Sequence, residues 1–146
     1  MARSIQLKRK LEFGAPGKLP TTWEDYKVLE NYVKTADGEP FLIMDEELEG
    51  SVGKVWGWCS NTGLSVLRSS KHLYGDGTFE ICKYILFHQL WVIVGRSDAN
   101  KVSLPCAFFL LPVKRKSTYF KILEKLLELG VKNTEVFHCV LEKVGN

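Results

Sequence analysis

The chain has 146 residues, 45% of them hydrophobic and 25% charged, the proportions of one globular domain long enough to bury a core. Its net charge of +3 is compatible with a nucleic-acid partner but argues only weakly for one. The longest apolar run, Tyr84 to Val94, is broken by His88-Gln89 and falls short of the ~20 residues of a membrane-spanning helix.

Residues 1–20 are polar, carry Gly14, Pro16, Gly17 and Pro20, and read as a flexible basic leader. The cluster Arg3, Lys8, Arg9, Lys10 has no apolar stretch after it, so it is not a secretory signal. It reads as a solvated tail, or as part of a nuclear address or a nucleic-acid contact. The expectation is a soluble, intracellular protein with no membrane partner.

Residues 21–70 lead into the core. Thr22 suits a helix N-cap, Glu24 and Asp25 the first turn, and Tyr26, Leu29 and Val33 form an apolar face at helical spacing. A short amphipathic helix is expected there, ended by Ala36-Asp37-Gly38-Glu39-Pro40. Phe41 to Met44 reads as a strand, followed by an acidic loop with Gly50 and Gly53. A second strand runs through Val55, Trp56, Trp58 and Cys59. Asn61 or Thr62 caps a brief helix carrying Leu64 and Leu67.

From Leu73 to Pro112 the pattern gives three strands in an antiparallel meander, broken around Lys83 and at Ser97-Asp98-Ala99-Asn100. The long strands are apolar at nearly every position, which predicts cover on both faces. Ser117 or Thr118 then caps a helix with a buried stripe of Tyr119, Ile122, Leu123 and Leu126, closed by Gly130 at the C′ position. Val136 to Leu141 reads as a further strand, so the class is mixed α and β. Cys59, Cys82, Cys106 and Cys139 show no Cys-x-x-Cys pair, and buried free thiols in a reducing compartment are the expectation. His138-Cys139 has no partners at zinc-finger spacing.

The stretch Tyr74-Gly75-Asp76-Gly77-Thr78-Phe79 carries the chemistry. Thr78, Phe79, Ile81 and Cys82 suit a pleated, buried strand. A carboxylate between two glycines there leaves room for a backbone, a metal or a phosphate to come close. Asp-Gly is equally a hairpin signal, so a turn at Asp76 is the alternative.

After Asp76 come Phe87-His88-Gln89-Leu90-Trp91-Val92-Ile93, Leu104-Pro105-Cys106-Ala107-Phe108-Phe109-Leu110-Leu111-Pro112, then Lys114 and Ser117-Thr118-Tyr119. This succession resembles the transposases of Mutator-like elements. Their core reads as a DGTF strand, an F-x-Q-L-x-x-I strand, an A-x-x-L-L-P strand and a K-x-x-x-T-Y helix start. The resemblance covers roughly residues 40 to 146, and it rests on the order and spacing of four weak motifs.

The resemblance implies a partial RNase H-like fold over residues 71–146: three antiparallel strands, a helix and a fourth strand, after a helix-strand-strand extension. It implies a nuclear protein of DNA recombination whose partner is DNA. It also implies catalysis by two Mg2+ or Mn2+ ions held by a DDE triad, activating the attacking hydroxyl and stabilising the leaving oxygen. Asp76 matches the first acid, catalytic and metal-binding. Where the family has D-F-E-K, this chain has Val140-Leu141-Glu142-Lys143, so Val140 stands in the place of the second. Glu142, two residues on, would sit about 6–7 Å away along the strand. No third acid follows before Asn146. The expectation is therefore a transposase remnant that does not bind metal productively or cleave DNA. Its fourth strand would be an open sheet edge for a protein partner to cover.

Two alternatives stay open. In the first the chain is a domesticated DNA- or protein-binding module, with Lys114, Arg115 and Lys116 as DNA contacts; an exposed basic loop explains the same run. In the second it is an unrelated α+β interaction domain, with Trp23, Tyr26, Trp56 and Trp58 as a binding face or as core.

Overall fold

The computed structural model describes residues 22–25, 27–79, 87–97 and 101–139. Six strands form in chain order: β1 (Leu42–Glu47), β2 (Lys54–Cys59), β3 (His72–Phe79), β4 (Gln89–Ser97), β5 (Val102–Leu111) and β6 (Val136–Cys139). Helix α1 (Asn61–Ser69) lies between β2 and β3, and helix α2 (Lys116–Glu128) between β5 and β6. The strands make one mixed sheet in the order β1-β2-β5-β4-β3-β6. All pairings are antiparallel except that of β3 with β6. The class is α+β.

Both helices pack on one face of this sheet. On β4 that face carries Gln89, Trp91, Ile93 and Gly95, all buried, whereas Leu90, Val92 and Val94 on the other face are only half-buried. Among the described residues cover is therefore complete on one side alone, which corrects the expectation of two covered faces. α1 is held by close contact of Gly63 with the Cys106 carbonyl. The buried Ser70 hydroxyl also accepts from Arg96 N at 3.1 Å. α2 reaches across to β1, where Lys121 and Lys125 pair with Glu46 at 3.6 and 3.5 Å. These ion pairs are partly exposed, and so add little beyond fixing the helix direction.

Several sequence expectations shift. Thr22 to Val33 forms no α-helix among the described residues; it makes 3-10 turns at Trp23–Asp25 and Glu30–Tyr32. Leu29 and Tyr32 are exposed there, while Val33 is spent on backbone hydrogen bonds to Phe41 and Leu42. With its apolar residues so divided, the segment has no single face to bury against the sheet. The acidic residues Asp45, Glu46 and Glu47 lie inside β1, stabilised by pairing with β2 and by the Trp56 indole N–H donating to Asp45 at 2.9 Å. The α1 cap is Ser60, whose hydroxyl accepts from Gly63 N at 3.0 Å, one residue before Asn61. α2 begins at Lys116 after Arg115, ahead of Ser117. Gly130 does close it, with φ +91°. Lys83 and part of the expected loop at 97–100 lie outside the described residues. No helix among those described is long and apolar enough to cross a membrane.

Trp56 packs with Phe87, Trp23, Val28, Trp58 and Leu110 in a second cluster, so Trp23, Trp56 and Trp58 serve packing; Tyr26 lies outside the described residues. Cys59, Cys106 and Cys139 are free thiols, and Cys82 lies outside the described residues. Burial, reinforced by nearby Cys106, pushes the Cys59 thiol up to about 12 from an ordinary value of 9.0; burial raises Cys106 too. The folded chain thus holds a proton that the unfolded chain releases near pH 9. Stability from the Cys59 thiol is complete below about pH 9 and is lost as pH climbs toward 12, by up to about 1.4 kcal/mol per pH unit. We expect the urea midpoint to fall between pH 8.5 and pH 10, and to fall less in Cys59→Ala. Equal slopes in the two proteins would remove Cys59 as the cause.

Candidate functional site around Asp76

Alternation along β3 divides the Tyr74–Phe79 stretch between two faces. Leu73 and Gly75 are buried toward the helices, while His72, Tyr74, Asp76 and Thr78 are exposed on the other side. Asp76 stands opposite Val92 of β4. The segment is strand throughout, so the hairpin turn at Asp76 is overturned.

The glycines have a different purpose from the one the sequence suggests. A Cβ on Gly75 would meet the Trp91 indole at 2.9 Å, and one on Gly77 would collide with the Gln89 amide. What approaches the strand closely is thus the pair of β4 side chains beneath it, not a metal or a phosphate. Trp91 is 1% exposed and meets Tyr119 edge-on with ring centroids 4.9 Å apart. The Tyr119 hydroxyl donates to Gln89 Oε1 at 2.6 Å in a buried hydrogen bond. Burial raises the Tyr119 pKa, opposed in part by that bond, so the phenol stays a donor at neutral pH.

On the exposed face three rings stand in file. His138 of β6 stacks on Tyr74 at 4.8 Å and 10°, and on His72 at 5.9 Å and 13°. The parallel register explains it: Tyr74 is opposite His138 and His72 opposite Val136. Sequence reasoning missed this cluster. The signal was the period-two spacing of His72, Tyr74 and Asp76, legible only once β6 is known to lie beside β3. The same alternation puts His138 and Cys139 on opposite faces, so they do not share a zinc ion.

Lys114, Arg115 and Lys116 follow the exit of β5, where Leu111 is opposite Gln89 and Gln89 is opposite Phe79. The basic run therefore leaves the sheet at the end toward which β3 carries Asp76. It lies two strand spacings, about 10 Å, from β3. Arg115 and Lys116 are exposed and Lys114 is half-buried.

Of the acids the resemblance implies, the described residues include Asp76 alone. No group of three or more His, Cys, Asp or Glu among them is placed to hold a metal. The nearest residues to Asp76 on its face of β3 are Tyr74 and Thr78, with Val92 across on β4, and none is a carboxylate. The register with β6 is described as far as Gly75 opposite Cys139; Val140 and Glu142 lie outside the described residues.

Neither the family models, nor the curated proteins, nor the solved structures compared with this chain gave a match.

Proposed function

We propose that this chain is a Mutator-like transposase core of RNase H-like design whose strand-cleaving chemistry has been lost, leaving the scaffold. The observation that carries the reading is topological. The antiparallel set β3-β4-β5 is followed by α2, and then by β6 lying parallel against β3. Three antiparallel strands, a helix and a fourth strand are the succession the resemblance implies, and β6 pairs with the Asp76 strand as far as Gly75 opposite Cys139. An isopropyl group there supplies no oxygen to a hard divalent ion, and one carboxylate alone holds such an ion weakly. The DNA-binding reading is favoured by one observation: the Lys114-Arg115-Lys116 run leaves the sheet at the Asp76 end. A scaffold of this kind would hold a DNA backbone with a strong salt dependence, in the nucleus.

The test restores what the reading says is missing. In a Mn2+ titration followed by thermal melting, the native chain should show no Asp76-dependent shift. Val140→Asp should gain about 3 °C or more at saturating metal, and the gain should vanish when Asp76→Ala is added. Failure of Val140→Asp to respond would overturn the family reading. Magnesium- or manganese-dependent DNA cleavage by the native chain, abolished by Asp76→Ala, would overturn the loss of activity.

A further inference from the structure

A groove of about 330 Å³ opens on the helix-covered side, between α2 and β6. Its walls are Trp91, Tyr119, Leu123, Phe137 and Cys139, with Lys116 among its lining. The volume is at the lower end of the range for small-molecule sites, about eleven times the ~30 Å³ that one water occupies in the liquid.

Lys116 gives the groove a chemical preference beyond being apolar. Lys116 is exposed and has no ion pair among the described residues. A cation above aromatic and aliphatic walls suits a molecule with an apolar body and one anionic head. Cys139 does not disturb this preference, because burial raises its pKa and keeps the thiol neutral.

We infer that the groove between α2 and β6 is a binding site for a small amphipathic anion, an aryl or medium-chain carboxylate, with its body against Leu123, Phe137 and Cys139 and its oxygens toward Lys116. The site is on the opposite face of the sheet from Asp76 and does not depend on the chain's relation to transposases.

The experiment uses 2-naphthoate and the intact chain. Two readouts are taken: displacement of 1-anilinonaphthalene-8-sulfonate fluorescence, and the rate at which N-ethylmaleimide alkylates Cys139, followed by peptide mass mapping. Saturating 2-naphthoate should slow alkylation of Cys139 at least fivefold and displace the dye. Lys116→Glu, a surface change away from the packed walls, should weaken both effects about tenfold. Leu123→Trp, which fills the groove, should abolish them while leaving a cooperative melting transition. The inference is overturned if 2-naphthoate leaves Cys139 unprotected, or if Lys116→Glu binds as tightly as the native chain. Should Leu123→Trp fail to fold, Lys116→Glu still decides.

Discussion

Replacing Trp91 by alanine is expected to cost about 3–5 kcal/mol, the range for deleting a large aromatic from a well-packed core. Trp91 is 1% exposed and its ring meets Phe109, Tyr119 and Phe137. It thereby joins β4 to β5, α2 and β6 at once. Collapse into the vacated space is opposed by the sheet, because Gly75 and Gly77 contribute no side chains that could move in. Folded domains have about 5–15 kcal/mol in hand, so Trp91→Ala should remove a large share of the chain's stability. Urea unfolding followed by near-ultraviolet circular dichroism measures this directly. A loss under about 1.5 kcal/mol would mean that β6 and α2 are held by something other than this residue. Trp91→Phe should cost less, since it keeps a ring in place and removes the partnerless indole N–H.

The strands of the middle of the chain were legible because their signal is local. β4 and β5 are long apolar runs rich in β-branched and aromatic residues, and α2 carries Tyr119, Ile122 and Leu126 at helical spacing, all buried. The N-terminal segment misled for the opposite reason. Tyr26, Leu29 and Val33 have helical spacing, yet Val33 is held by backbone bonds to Phe41 and Leu42, and long-range pairing outweighs a weak local preference. β1 was read too short because Asp45, Glu46 and Glu47 are poor strand formers. Their partners, Trp56 Nε1 for Asp45 and Lys121 and Lys125 for Glu46, are distant in sequence. The site shows the same division. Asp76 was visible as a carboxylate between glycines, but the tyrosine and histidines filed beside it depend on a parallel register between residues 72–75 and 136–139. No pattern within either segment announces that pairing.

The Gly75-Asp76-Gly77 triplet separates into structural and chemical parts that mutation can tell apart. Gly75→Ala places a methyl group 2.9 Å from the Trp91 indole, a rigid ring packed against Phe109, Tyr119 and Phe137. Gly77→Ala pushes against the Gln89 amide, and Gln89 is 3% exposed and held by Tyr119. A flexible side chain would swing away at little cost, but here swinging breaks the bond to Tyr119 and strands a buried hydroxyl. Overpacking of this kind costs about 1–3 kcal/mol, and each glycine variant is expected within that range. Asp76→Asn changes a charge on the exposed face, opposite Val92, and should alter stability by no more than about 0.5 kcal/mol. Chemical denaturation of the three variants therefore distinguishes two accounts of the triplet. If the glycines exist to admit a ligand to Asp76, alanine at Gly75 and Gly77 leaves the unliganded chain nearly as stable as before. If they exist to admit Trp91 and Gln89, both substitutions destabilise the chain with no ligand present, and Asp76→Asn does not. The geometry requires the second result, which makes Asp76 the one member of the triplet that the fold does not need.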